Sequence, residues 1–489
     1  MLAVTSLEPR GNGPPPLTFH QGAHPPYAIR WFGVTSLFGH ARHFAASAIA
    51  SESVDARDWM RPTEPAELLA ESLAVLGAPP GRTPAPDLVT GLGREVWIDY
   101  VADTGDDRDV SVAVAKMIFA DYTNSAGRSL PRGDVLLFGG DTAYPVATAE
   151  EIEQRLLDPF NDVLADHDDG RRRVLLGIPG NHDWYDGLDG FARMFRKGAR
   201  GHAQKSPEPA ELAATRRAGR GRVGRSAGLV ARSLHLDEVG GIIGLVRGAA
   251  GSVKAFFKGS SVRRKKRLVL AGYEPVQEAT FWALPLAPGL AMWGADRQLR
   301  KVDFRQRSFF QDRRAQAPND AVLFIAPDPA IAYGERNEPG ARALAACNLS
   351  LADDRVFFLT GDMHHYERRE VGRSVHVTAG GGGAFVHGTR IGLPTAMGPP
   401  TVAFPDAATS RLLVAQVPLK LMAGKAGFLV HIACAIVASI ELASGNGLAL
   451  GVTGVIVTLT VMALLYFVAG HHRHHARRVA ALAVPFGAA

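Results

Sequence analysis

The chain has 489 residues, which is long enough for one large catalytic domain with additions. Apolar residues make up 46% of it, enough for a buried core, and its two cysteines exclude a disulfide framework and a cysteine-bound zinc site. The net charge of +6 is uneven, because residues 196–267 hold 18 Lys and Arg against 4 Asp and Glu, which leaves the rest of the chain net negative.

The first 95 residues are predicted to form an extension that precedes the catalytic domain. Residues 1–26 are rich in Pro and Gly and contain no apolar run, so we expect disorder and no secretory signal there. Residues 27–95 mix aromatic and small side chains and are expected to form helices packed on the main domain.

Four apolar runs are each predicted to form a β-strand, and each is followed by a short polar motif. In chain order they are Trp97–Ala102 with Asp103-Thr104-Gly105-Asp106, Val135–Phe138 with Gly139-Gly140-Asp141, Val174–Ile178 with Gly180-Asn181-His182-Asp183, and Val356–Leu359 with Gly361-Asp362-Met363-His364-His365. Side chains at strand ends converge on ligands in α/β proteins. Carboxylate, amide and imidazole groups meeting at one edge are the composition of a metal centre.

Residues 96–195 and 268–417 are predicted to be the two halves of the catalytic domain, with strands and helices alternating in the first half and a return to strands over 268–400. Thr148 is a good N-cap, so a helix is expected over Ala149–Leu164. Further strands are expected at Leu290–Trp293 and Val322–Ala326.

The order of the four motifs resembles the calcineurin-like metallophosphoesterase superfamily. The resemblance covers about residues 97–387, with one long interruption after the third motif. It implies an α/β catalytic domain built as a four-layer α/β/β/α sandwich. It also implies hydrolysis of a phosphate ester by a metal-activated water at a pair of divalent ions.

The resemblance assigns a metal-binding role to five residues. Asp141 would bridge two ions, Asp103 and His364 would bind the first ion, and Asn181 would bind the second through its amide oxygen. Tyr144 matches the ligand of the Gly-Asp-x-x-Tyr variant of purple acid phosphatases, and packing at the strand end is its alternative role.

Two further residues receive a catalytic role from the resemblance. His182 would face the phosphate and polarise it or protonate the leaving oxygen. Asp183 would orient the His182 imidazole through its other ring nitrogen.

The motifs depart from the family pattern at two positions, both at the second ion. Asp362 stands where the family has the first His of Gly-His-x-His, and we treat it as a ligand. The family also has a lone His between the Gly-Asn-His-Asp and Gly-His-x-His motifs, and this sequence has no evident counterpart of it. Asp328 or His365 could replace that His. Oxygen ligands would favour Mn²⁺ or Mg²⁺ over Zn²⁺, with Fe also open. The alternative is a fold that has lost one metal.

Other polar residues near the motifs have two readings each. Asp106 either replaces a family His or is a loop carboxylate. The run Gly380–Phe385 either presents N–H groups to phosphate or forms a tight turn. His376 and His387 are expected to be strand and loop residues and not ligands.

Residues 196–267 are predicted to be a basic, amphipathic insert. Apolar residues recur at helical spacing over 236–257, and five consecutive cations follow at Arg263–Arg267. This combination fits an anionic membrane surface. A nucleic-acid patch is the alternative, but no aromatic residues are interleaved with the arginines of 216–225. A solvated, disordered loop is expected for 196–227.

The last segment, 418–489, carries two candidate membrane spans. Gly447–Gly470 is 24 residues long without a charge, enough to cross about 30 Å of hydrocarbon, and Ala426–Ala443 is a weaker candidate. A short link would make them a hairpin, and basic residues on both flanks predict that both ends are cytoplasmic. The alternative is a pair of buried core helices.

The sequence therefore predicts a membrane-anchored, metal-dependent phosphoesterase with a cytoplasmic catalytic domain. Its expected partners are a phosphate ester and anionic membrane lipid, and nucleic acid is not expected. The alternative is a catalytically weak, membrane-tethered module that binds phosphate at a degenerate metal site.

Overall fold

The structure of the protein, a computed structural model, is a mixed α/β fold with several β-sheets. The residues that it describes are 8–9, 23–33, 36, 61–79, 81–82, 84–124, 126–197, 267–297, 302–352, 355–389, 395–422, 424, 427, 436 and 439. Most of the basic insert and most of the C-terminal segment lie outside them. In the described part no helix is long and apolar enough to cross a membrane.

Strands and helices alternate over 98–195, as predicted, and strands predominate in the second half. In chain order the strands are β1 (Glu8–Pro9), β2 (Ile98–Val101), β3 (Tyr122–Thr123), β4 (Ser129–Leu130), β5 (Val135–Phe138), β6 (Arg173–Gly177), β7 (Tyr273–Pro275), β8 (Trp282–Ala287), β9 (Leu290–Gly294), β10 (Ala321–Ala326), β11 (Ile331–Ala332), β12 (Glu335–Arg336), β13 (Val356–Thr360), β14 (Tyr366–Val371), β15 (Ser374–Ala379) and β16 (Val402–Phe404). The helices are α1 (Pro65–Val75), α2 (Leu88–Leu92), α3 (Arg108–Ile118), α4 (Ala149–Ile152), α5 (Asp158–Leu164), α6 (Asn181–Trp184), α7 (Asp189–Phe195), α8 (Phe304–Gln316), α9 (Glu338–Ala346) and α10 (Ala407–Met422).

The helix predicted over Ala149–Leu164 is confirmed. It runs through α4, a π-helical turn at Glu153–Leu157, and α5. The Thr148 hydroxyl accepts a hydrogen bond from the Glu151 amide at 3.2 Å, which is the expected N-cap.

Two sheets carry the predicted motifs. A four-stranded sheet has the order β2-β5-β6-β7, and its strands are parallel, so their carboxyl ends share one edge. A seven-stranded sheet has the order β16-β14-β15-β13-β10-β9-β8. Its central strands β9, β10, β13 and β15 are parallel, whereas the outer pairs are antiparallel.

Side chains that alternate along the strands join different apolar clusters. Val135 and Leu137 of β5 pack in a cluster that includes Leu284 and Met292 of the large sheet. Leu136 and Phe138 face the other way, toward α3, α5 and α7. On the far side of the large sheet, a third cluster packs Phe324 and its neighbours against α8 and α9. Strands covered on both faces read as unbroken apolar runs, which is why these were recognisable.

The five cations predicted to dock on lipid are described only at Arg267. Its guanidinium donates to the Arg196 carbonyl, and the side chain is half-buried. Arg267 is thus tied to the end of the first half of the predicted catalytic domain, and the other four cations lie outside the described residues.

Candidate metal centre

The carboxyl ends of β2, β5 and β13 bring three of the predicted motifs together. The Asp103 amide donates to the Gly140 carbonyl (3.1 Å), and the Thr104 amide donates to the Asp141 carbonyl (3.0 Å). The two sheets meet where the Asp362 amide donates to the Asp103 carboxylate at 2.9 Å. Residues that are far apart in the sequence therefore share one edge of the fold.

The Tyr144 hydroxyl is the common neighbour of the side chains assigned to the first ion. Its Oη lies 3.2 Å from Asp103 Oδ1, 3.4 Å from Asp141 Oδ2 and 3.0 Å from His364 Nε2. All four side chains are buried. Tyr144 is thus part of the polar centre and not only a packing residue at the strand end.

The carboxyl groups of this centre are buried next to one another. Burial raises the pKa values of Asp103, Asp141 and Asp362 well above the usual range, and the charges of neighbouring carboxylates raise them further. Asp328 is one of these neighbours. Carboxylates this close need protons or a cation to offset their repulsion, and a divalent ion would favour their ionised form.

His364 is held as a neutral imidazole. Burial lowers its pKa to about 3. Its Nδ1 lies 3.1 Å from the Phe385 carbonyl oxygen, which can only accept, so Nδ1 carries the hydrogen and Nε2 keeps its lone pair. Metal-binding histidines commonly have this arrangement, with the second ring nitrogen bound to a carbonyl.

The backbone is in the left-handed region at four of the candidate ligands. The φ angles are 59° at Asp103, 51° at Asp141, 68° at Asp362 and 46° at His364. Non-glycine residues adopt this conformation in only a few per cent of cases. Such residues cluster at functional sites, where the surrounding structure holds them.

The contacts of Asp183 contradict its predicted role, which was to orient the His182 imidazole. Its carboxylate accepts hydrogen bonds from the amides of Asp141 (2.9 Å) and Gly180 (2.8 Å), and from the Thr142 hydroxyl. Asp183 therefore clamps the second motif to the third. The Pro145 carbonyl oxygen lies 2.7 Å from His182 Nδ1, in the position that was predicted for the Asp183 carboxylate.

His182 lies in an aromatic pocket beside the polar centre. Its ring centroid is 4.4 Å from that of Tyr144 and 5.0 Å from that of Tyr185. Its amide donates to Asp141 Oδ1 at 2.8 Å. The Pro145 carbonyl and the two aromatic rings therefore fix the orientation of the His182 imidazole beside Asp141.

The residues assigned to the second ion are less closely gathered. The Asn181 amide nitrogen donates to Tyr185 Oη at 2.6 Å, so the amide oxygen is the atom left to bind an ion. Asp328 forms an ion pair with Arg297, and the charge of Arg297 also acts on Asp362. A cationic side chain, that of Arg297, therefore already lies among the residues considered for the second ion.

Arg297 was missed by the sequence reasoning, although a signal existed. It follows β9, whose carboxyl end lies beside that of β10, so it occupies a strand end like the recognised motifs. His365, the other candidate substitute, packs against Tyr333 at 5.3 Å between ring centroids, and burial lowers its pKa to about 4.

The donor chemistry fits a divalent ion better at the first position than at the second. Within the described residues, no group of three or more His, Cys, Asp or Glu side chains could hold an ion by itself. The side chains that meet at the first position are the Tyr144 phenol, the carboxylates of Asp103 and Asp141, and His364 with the lone pair of its Nε2. These oxygen and nitrogen donors suit Mn²⁺, Mg²⁺, Fe or Zn²⁺.

An N-terminal strap, residues 23–33, carries Trp31 to the centre and was not foreseen. The Trp31 ring lies 5.7 Å from Tyr144, 5.9 Å from His182 and 5.4 Å from Phe385, measured between centroids. Carboxylates at the start of α3 hold the strap: Asp106, Asp107 and Asp109 accept from backbone amides within it. Nothing local in the sequence indicates this contact.

Asp106 is therefore a loop carboxylate that anchors the strap through the Ile29 amide at 2.6 Å. Burial raises its pKa from 3.8 to about 6. Between pH 3.8 and about pH 6, Asp106 keeps its proton in the folded protein and loses it in the unfolded chain. The free energy of unfolding therefore falls as pH rises, by up to about 1.4 kcal/mol per pH unit.

We expect Asp106→Asn to remove this pH dependence, because a neutral amide can accept the same hydrogen bond. Relative to the parent, the variant should gain about 1–3 kcal/mol between pH 4 and pH 7. Denaturant titrations of both full-length proteins at the two pH values measure this. A stability difference that does not change with pH would contradict it.

The glycine run forms a turn against the candidate metal centre. The Gly382 amide donates to the Ala102 carbonyl at 2.9 Å, and the Gly380 amide donates to the His365 carbonyl at 3.1 Å. A Cβ on Gly382 would lie 2.1 Å from that Ala102 oxygen. These two amides donate to carbonyls of the protein itself, which favours a tight turn over a phosphate-binding loop.

His376 lies in β15, as expected of a strand residue.

Comparison with known proteins adds no further assignment. No family model matches the chain, and no curated protein matches it. The likeness to metallophosphoesterases thus rests on the motifs of this chain and on their arrangement.

Proposed function

We propose that the protein is a membrane-anchored, metal-dependent phosphoesterase of the calcineurin-like type. The single observation that supports it most is the contact of Asp103, Asp141 and His364 with the Tyr144 hydroxyl. These are the residues that the resemblance assigns to the first ion. The left-handed backbone at three of the four adds support.

We further propose that the catalytic domain is the four-layer α/β/β/α sandwich of that superfamily. The three apolar clusters support it, because one joins the two sheets and the other two join each sheet to helices. The membrane anchor is proposed from the uncharged C-terminal runs and their basic flanks, with the catalytic domain on the cytoplasmic side.

The chemistry proposed for the centre divides between an ion and the chain. Bound by Asp103, Asp141, Tyr144 and His364, a divalent ion would lower the pKa of a water and stabilise the charge on phosphate. In hydrolysis, the water oxygen bonds to phosphorus and the ester P–O bond breaks. His182 Nε2 is proposed to give its proton to the leaving oxygen, with Nδ1–H held on the Pro145 carbonyl.

Asp141, Asn181 and Asp362 are the residues that would hold a second ion. Arg297 is proposed to assist there by offsetting phosphate charge, because it lies beside Asp328 and acts on Asp362. The Arg297–Asp328 pair also favours the alternative function, a weak phosphate-binding module, since Asp328 is already occupied by a cation.

The test is hydrolysis of p-nitrophenyl phosphate and bis(p-nitrophenyl) phosphate by detergent-solubilised protein with and without Mn²⁺. We expect Mn²⁺-dependent release of p-nitrophenol from one of them, lost with EDTA and restored by Mn²⁺. Metal analysis of the same sample counts the ions per chain. Bound metal without turnover of either ester would support the binding module instead.

A further inference from the structure

Three exposed apolar side chains lie at the mouth of the candidate metal centre, and we call them the apolar lip: Phe32, Phe385 and Val386. They are 38%, 40% and 47% exposed. The Phe385 ring is 4.6 Å from His364 and 5.4 Å from Trp31. Phe32 follows Trp31 on the strap. Exposed apolar groups beside a charged site indicate a surface that binds something apolar.

Two more exposed apolar side chains lie on the elements that follow the lip in the chain, strand β16 and helix α10. The loop that follows the lip is tied to this helix, because the Thr389 amide donates to Ser410 Oγ at 2.9 Å. The Thr389 hydroxyl donates to the Pro405 carbonyl at 2.8 Å. Phe404 and Leu412, next to these contacts, are 63% and 57% exposed.

After α10 the chain returns to the strap at the start of its first C-terminal apolar run, Ala426–Ala443. A Cβ on Gly427 would lie 2.3 Å from the amide nitrogen of Gly33 and 2.3 Å from the carbonyl carbon of Phe32. The backbone at Gly427 therefore touches the strap directly beside the lip. Ala426–Ala443 and Gly447–Gly470, the two predicted spans, begin here and follow.

We propose that the apolar lip rests on the bilayer that holds the C-terminal segment, and that the substrate is a phosphate ester of a lipid in that bilayer. The inference rests on the proposed phosphoesterase function and adds its substrate class. Where a chain enters a bilayer, neighbouring exposed aromatic groups lie at the headgroup level. A lipid phosphate lies at that level too, so it can reach the metal centre without leaving the membrane.

The test compares one headgroup in two physical states. Full-length protein in phosphatidylcholine vesicles is given phosphatidate and phosphatidylglycerol, a monoester and a diester, each as a water-soluble dihexanoyl form and as a dioleoyl form within the vesicle. For the headgroup that is hydrolysed, we expect kcat/KM to be about tenfold or more higher for the dioleoyl form.

Two variants separate lip contact from damage to the fold. Phe32→Ser combined with Val386→Ser should lower hydrolysis of the dioleoyl lipid about tenfold and leave p-nitrophenyl ester hydrolysis unchanged. The control is Phe304→Ser, which removes a more exposed apolar side chain (58%) on α8, and it should alter neither rate.

The failures of the two proposals are distinguishable. If neither p-nitrophenyl ester is hydrolysed, the phosphoesterase function is wrong and the lipid inference falls with it. If a p-nitrophenyl ester is hydrolysed but neither lipid is, or the dihexanoyl form is preferred, the function stands and the lipid inference is wrong. Equal losses in the lip variant and the Phe304→Ser control would also overturn it.

Discussion

Asp141→Asn should abolish metal-dependent hydrolysis while the protein stays folded. One oxygen of the Asp141 carboxylate accepts from the His182 amide at 2.8 Å, and the other lies 3.4 Å from Tyr144 Oη. Asparagine has nearly the same shape and can keep the first of these hydrogen bonds. It lacks the charge that would bridge two cations, so the loss should be chemical and not structural.

The measurement is p-nitrophenyl ester turnover with added Mn²⁺, together with bound metal and thermal unfolding of the same samples. Asp99→Asn is the matched control, because Asp99 lies in the same sheet and its carboxylate accepts from the Gly133 amide, away from the centre. The control should keep its activity. An active Asp141→Asn variant, or one that is simply unfolded, would contradict the assignment.

His182→Ala should lower kcat by roughly 10²–10⁴ and retain the bound metal, because a positioned acid contributes about that much. The His182 ring is held by the Pro145 carbonyl and by the rings of Tyr144 and Tyr185, and no metal role is assigned to it. The loss should be larger for an alkyl phosphate than for p-nitrophenyl phosphate, since a poor leaving group depends more on protonation.

His376→Ala is the control for this variant. His376 lies in β15, and its Nε2 is 3.0 Å from the Leu351 carbonyl oxygen, so the change removes a buried imidazole without touching the proposed chemistry. The control should keep its turnover and its dependence on the leaving group. Parent-like activity of His182→Ala would show that His182 is not the acid.

Much of the fold could be predicted because its signals are local. The apolar run Val135–Phe138 is the strand β5, and Leu290–Trp293 lies within β9. Thr148 marks the helix start by its own hydrogen bond. Unbroken apolar runs and caps depend on neighbours within a few residues, so the sequence is enough to recognise them.

The wrong role of Asp183 also has a local cause. Asp183 lies three residues after Gly180, which is the N-cap of α6. A carboxylate at that position accepts a hydrogen bond from the N-cap amide. The family resemblance drew attention to the neighbouring imidazole, whereas the helix geometry turns the side chain toward the second motif.

The sequence by itself determined which strands end in carboxylate, amide and imidazole groups, because each motif directly follows its own apolar run. Only the tertiary structure decided what these groups meet: Trp31 from the strap, the Arg297–Asp328 pair, and the Phe385 carbonyl behind His364. These contacts join segments far apart in the chain. They depend on how two sheets and a strap pack together, and no periodicity or spacing within one segment carries that information.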